Sequence, residues 1–102
     1  MVSAMIRKEK MKDGGKVKVT FVLPRDQPHG KVSVVGDFNG WRPGEHVFAR
    51  RANRAFSASV ELEAGGRWAF RYLAEGGVWL DDPEADGHAR DEWGNLNGVV
   101  ET

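Results

Sequence analysis

Lys16-Val17-Lys18-Val19-Thr20-Phe21-Val22-Leu23, KVKVTFVL, is the stretch that decides the fold class. Val17, Val19, Phe21 and Leu23 recur at every second position. An extended chain gathers such residues on one face, whereas a helix scatters them around its axis. A half-buried strand is therefore expected here. Working outward, Pro24, Pro28 and Gly30 break the chain, and Lys31 to Val35 is the next strand. His46 to Arg50 is a short strand, turned by Arg51-Ala52-Asn53-Arg54 into Ala55 to Leu62. In that strand Phe56, Ala58, Val60 and Leu62 face one way, and Ser57, Ser59 and Glu61 the other. Gly65-Gly66 leads into Arg67 to Ala74, with Trp68, Phe70 and Tyr72 on one face. Glu75-Gly76-Gly77 turns into Val78 to Leu80, and Leu96 to Glu101 closes the chain. About seven short strands with turn signals between them and no helical period predict an all-β, antiparallel sandwich.

A chain of 102 residues is expected to form one domain. The 15 basic and 15 acidic residues leave no net charge, which removes the electrostatic basis for nucleic-acid binding. With no cysteine there is neither a disulfide framework nor a thiolate metal site. Met1 to Gly15 contains IRKEKMKDGG and no apolar run of the length a signal peptide or membrane span needs. The expectation is a soluble, cytoplasmic protein without a membrane partner. Residues 1–15 are expected to be a flexible tail and 16–102 the folded domain.

The strand pattern separates the four tryptophans. Trp68 keeps step with Phe70 and Tyr72 and belongs to the core, while Arg71 points away from it. Trp41 ends Val34-Val35-Gly36-Asp37-Phe38-Asn39-Gly40-Trp41, where Asn39-Gly40 predicts a tight turn and Pro43 prevents immediate strand pairing. Trp79 follows a Gly-Gly turn and Trp93 lies in Arg90-Asp91-Glu92-Trp93-Gly94-Asn95. Three large rings in loops or at strand ends are a costly use of apolar surface, and if they cluster they make a binding surface.

Catalytic and metal readings fare worse. Asp82, Glu84, Asp86 and Gly87 fit the first places of a calcium loop, but the twelfth, which needs a bidentate Glu, is Trp93. His29, His46 and His88 lack zinc spacing. No nucleophile elbow, phosphate loop or dinucleotide fingerprint occurs. One acidic loop is poor ground for the fixed carboxylate pair of a glycosidase. No catalytic residue, metal or cofactor is expected.

KVKVTFVLP, VSVVGDFNGW, VELEAGGRWAFRYL, GGVWLDDPEAD and WGNLNGVVE, in that order, resemble the early-set carbohydrate-binding domain. That domain is related to the N-terminal domains of isoamylases and glycogen-branching enzymes, and the glycogen-binding domain of the AMP-activated protein kinase β subunit is similar. The resemblance runs from Lys16 to Glu101 and is nearest to free-standing bacterial members of the family. It implies an immunoglobulin-like sandwich that binds α-1,4-glucans such as glycogen, starch or maltooligosaccharides. It also implies a site: Trp41 and Trp79 stacking on sugar rings, Arg71, Asn95 and Asn97 contacting hydroxyls, and Trp93 standing where the kinase domain has a leucine. Gly40 replaces a frequent second asparagine, and the turn before Trp79 is one residue longer than in the kinase subunit. A sugar has a C–H face that packs on indole and an equator of hydroxyls that needs fixed donors and acceptors. The rival reading is a protein-interaction or regulatory domain that uses the same patch or an edge strand. A glycogen-metabolising enzyme or another protein is the partner to consider beside the glucan.

Overall fold

The computed structural model describes residues 5–12, 14–24, 30–50, 56–82 and 84–102. Among these, two antiparallel sheets pack face to face as a β-sandwich. The first contains β1 (Met5–Lys10), β2 (Lys16–Leu23), β4 (Ala49–Arg50) and β5 (Phe56–Glu63), in the order β1-β2-β5-β4. The second contains β3 (Val32–Gly36), β6 (Arg67–Ala74), β8 (Gly87–Arg90) and β9 (Leu96–Glu101), in the order β3-β6-β9-β8. A ninth short strand, β7 (Val78–Leu80), also pairs with β6.

The period-two pattern is realised as read. Val17, Val19, Phe21 and Leu23 from β2, with Phe56, Ala58, Val60 and Leu62 from β5, meet Val32, Val34, Phe70, Tyr72 and Val100 of the facing sheet. Phe21 lies at the centre, its ring 5.0 Å from Phe70 and 6.0 Å from Tyr72. These rings sit at angles of 45° and 79°, the tilted and edge-on arrangements that the aromatic quadrupole favours. Trp68 packs against this core and donates its indole N–H to Thr102 Oγ1 at 3.3 Å.

The structure departs from the sequence reading in four places. Met5–Lys10, assigned to a flexible tail, is a six-residue strand paired throughout with β2. Its lysines, arginine and glutamate suit an edge strand, whose outer edge has to be kept from pairing with another chain. Gly87–Arg90, read as acidic loop, is likewise an edge strand. The short strand expected over His46 to Arg50 changes sheets partway. The Phe48 amide donates to Val32 O at 2.9 Å and the Val34 amide to His46 O, along the edge of β3, before Ala49 and Arg50 join β5. Finally, the positive-φ pair of the Asn-Gly turn is displaced by one residue. Asp37–Asn39 form a short 3-10 helix, and Gly40 and Trp41 take φ of 65° and 60°. The Arg51–Arg54 turn lies outside the described residues. Among the described residues, no helix is long and apolar enough to cross a membrane.

Candidate functional site

Strand β6 organises the site through its alternation. Phe70, Tyr72 and Ala74 go inward, so Ala69, Arg71 and Leu73 face out from the second sheet. One edge of β6 serves two partners in succession. It pairs with β9 as far as Phe70–Gly98 and with β7 from Tyr72–Leu80 onward. Arg71 therefore sits at the fork where β7 and β9 diverge. A concave pocket of about 460 Å³ opens on this outer face, with small side chains, Ala69 and Ala89, in its lining. Trp41, Arg71, Trp79, Trp93, Asn95 and Asn97, the six residues singled out from sequence, all line it. Tryptophans 79 and 93 are 46 % and 77 % exposed, which leaves ring surface available to a ligand.

The first wall is the turn after β3. Gly36 is packed so tightly that a Cβ there would lie 2.4 Å from the Ala69 carbonyl oxygen. This close approach lets Asp37 reach β6, where its Oδ2 accepts the Ala69 amide at 2.9 Å. The other oxygen, Oδ1, accepts the Trp41 indole N–H at 3.1 Å. One carboxylate thus ties the ring to the strand behind it. Trp41 is the one non-glycine residue with positive φ among the described residues, a conformation that costs about 1–2 kcal/mol. Its amide donates to Gly36 O at 3.0 Å. Buried Asn39 fastens the turn from inside, its Oδ1 accepting the Gly36 amide and its Nδ2 donating to Val34 O, each at 3.0 Å.

The second wall is Trp79, which pairs across from Leu73 and so shares the outer face. The Arg71 guanidinium lies 4.9 Å from the centre of its ring, a cation–π contact. Asp81 accepts Arg71 Nε at 2.8 Å and Nη2 at 3.5 Å. The carboxylate that pairs with Arg71 is therefore Asp81.

The third wall is the β8–β9 hairpin. Asp91 Oδ1 accepts the amides of Trp93 and Asn95, both at 2.9 Å, and Oδ2 accepts Asn97 Nδ2 at 3.3 Å. Desolvation works to raise the Asp91 pKa, but these amide and side-chain donors outweigh it and hold the carboxyl below its ordinary value. Arg90 Nη1 donates to Gly94 O at 2.9 Å across the loop. The lining contains two aspartates and two arginines, whose formal charges cancel.

Sequence reasoning missed the carboxylates that place the rings: Asp37, Asp81 and Asp91. Their signals were present, Asp37 immediately before the Phe-Asn-Gly-Trp turn and Asp91 three residues before Gly94. Both are positions where a short acceptor side chain can take nearby amides. Two other carboxylates of the same acidic stretch as Asp91 are occupied elsewhere. Asp82 accepts the Tyr72 hydroxyl at 2.6 Å in the interior, and Asp86 accepts Lys8 Nζ at 2.6 Å between the two sheets.

Fold and site together define an all-β sandwich with a tryptophan-walled pocket on the outer face of one sheet. No family model matches the chain, and no curated protein matches it at a significant level.

Proposed function

We propose that this protein is a non-catalytic α-glucan-binding module of the early-set type, taking glycogen, starch or maltooligosaccharides. The observation that carries the reading is the convergence of three tryptophans, one arginine and two asparagines on one open pocket. Stacking surfaces and fixed hydroxyl partners are then presented together, as a sugar chain requires. Cancelling charges in the lining favour a neutral ligand over a phosphorylated or nucleic-acid one. The pocket carboxylates support binding without catalysis, because Asp37 and Asp91 are engaged on both oxygens with groups of the protein itself. A cytoplasmic location goes with glycogen as the ligand.

Titration with β-cyclodextrin, followed by tryptophan fluorescence, tests the reading. A saturable change is expected, with Trp41→Ala and Trp79→Ala each abolishing it while remaining folded. No change up to about millimolar ligand, a standard free energy of roughly −4 kcal/mol, sinks the glucan reading for this ligand. It would also move attention to the exposed Val78, Trp79, Trp93 and Leu96 as a surface for a protein partner.

A further inference from the structure

The wall formed by the β8–β9 hairpin contributes three of the six sequence-predicted residues, of which Asn97 is buried on β9 while Trp93 and Asn95 stand on the exposed loop without core packing. Trp93 is 77 % exposed, Asn95 is exposed, and the loop from Asp91 to Asn95 closes on its own hydrogen bonds. What the three share is one acceptor. A single carboxylate takes the backbone amides of Trp93 and Asn95 on one oxygen and the side-chain amide of Asn97 on the other.

We infer that Asp91 is the positioning residue of this wall, setting Trp93, Asn95 and Asn97 at once for the glucan-binding site proposed above, on which this inference rests. An ionised carboxylate only accepts hydrogen bonds. Asn97 therefore turns its NH2 group to Asp91 and directs its carbonyl oxygen elsewhere, which fixes the amide's orientation in the pocket lining. The two backbone bonds define the loop that carries Trp93, so the position from which the ring projects is set by the same group. Protonation of Asp91 converts one acceptor into a donor facing these N–H groups and dismantles the wall.

The charged groups around Asp91 are Arg90 and Glu92 on its own hairpin, with Arg71 on β6 and Asp37 on the turn after β3 facing the same pocket. Among the described residues no salt bridge joins any of these to Asp91. Its acid form is disfavoured by donors, against the opposing effect of desolvation. Because the folded carboxyl titrates below its unfolded value of about 3.9, the wall is intact above that pH and is lost as pH falls through the folded value.

The test compares full-length wild type, Asp91→Ala and Asp91→Asn by β-cyclodextrin titration between neutral and acid pH, with circular dichroism marking where each remains folded. Exchange of the Trp93 and Asn95 amides is followed without ligand. Asp91→Ala is expected to weaken binding about tenfold, the scale of one lost hydrogen-bonded contact, and to speed exchange at both amides. The Asp91→Asn protein, which like the protonated acid keeps one acceptor and sets a donor against the remaining N–H group, is expected to bind at neutral pH about as weakly as acidified wild type. Its affinity should stay level through the acid window in which wild type weakens. Unchanged amide exchange and unchanged affinity in Asp91→Ala would overturn the inference. Absence of binding by wild type would instead overturn the glucan reading, and the exchange data alone would then decide the role of Asp91: unchanged protection refutes it, lost protection supports it.

Discussion

Replacing Asp37 with alanine tests whether the stacking wall is held from behind. Two hydrogen bonds vanish together, one from the Trp41 indole and one from the Ala69 amide. They differ in consequence. The Ala69 amide belongs to β6, so its loss reaches the sheet; but Ala69 lines an open pocket and water can replace the carboxylate. The full penalty of a buried orphan does not apply, and about 1 kcal/mol of global stability is the expected cost. For a domain of this size that lowers Tm by roughly 4–8 °C. The indole bond acts locally. It helps hold Trp41 in a left-handed conformation that costs about 1–2 kcal/mol, so its removal lets the turn relax and the ring leave its place. A shift of that size corresponds to roughly a tenfold loss of β-cyclodextrin affinity. Urea unfolding gives the global number and fluorescence titration the local one. A double-mutant cycle with Trp41→Phe, which removes the donor and keeps a ring, isolates the indole contact. An Asp37→Ala protein with wild-type emission and affinity within twofold of wild type would refute the reasoning. So would strict additivity in the cycle.

Two further predictions concern the framework. Tyr72→Phe leaves Asp82, 1 % exposed, without its hydroxyl donor, and about 1–3 kcal/mol is expected to disappear from urea unfolding. Burial first, then the Asp82 charge and hydrogen bond, push the Tyr72 pKa well above its ordinary value of 10.0. The folded state therefore holds this proton more tightly, and the associated stability is complete below about pH 10 and is lost as pH rises further. As the sole tyrosine, its tyrosinate absorbance reports the group directly, and ordinary titration in the folded protein would count against the buried pair. Asp86→Asn addresses the link between β1 and the second sheet. Desolvation opposes the shift, but the Lys8 hydrogen bond, the Glu101 amide and the Lys8 charge lower the Asp86 pKa. The linked stability is present above about pH 4 and declines as pH falls through the folded value. The variant is expected to show a shallower acid slope and less dependence on salt in thermal melts, and an unchanged slope would argue against the link.

The fold was legible where burial is one-sided. β2, β5 and β6 each bury alternate residues, and that demand writes itself into the sequence as a period of two. β1 and β8 were illegible for the opposite reason. Each is an edge strand paired on one side, Met5–Lys10 with a run of charges and Gly87–Arg90 with four residues. Backbone pairing holds them, and backbone pairing leaves no mark on side-chain order. The turn at Asn39 misled for a related reason. Its side chain is spent on the Gly36 amide, Val34 O and His46 Nδ1, so Asn39 closes the short helix and the left-handed positions fall to Gly40 and Trp41. The pocket residues were named from a family resemblance, and from the placement of large rings outside the alternating strands. Their convergence depends on the fork between β7 and β9, a three-dimensional fact that local patterns do not encode.

That fork also explains why the site's precision rests on carboxylates rather than on the rings. A tryptophan projecting from a strand in the sheet centre would be fixed by its neighbours on both sides. Here the rings stand on a turn, on a three-residue strand and on a hairpin loop, where core packing holds them least. A loose ring has to lose rotamer freedom on binding, at about 0.5–1.5 kcal/mol for each side chain immobilised. For the stacking-dominated sugar site proposed above, three such costs would take most of the benefit. Asp37 beneath Trp41 and the Asp81-clamped Arg71 beside Trp79 place the ordering cost of those two rings in folding instead, and Asp91 does the same for the backbone of the Trp93 loop. Removing any one of the three carboxylates should therefore weaken binding while leaving every ring present. A protein that merely stored apolar surface at its rim would be indifferent to the same changes.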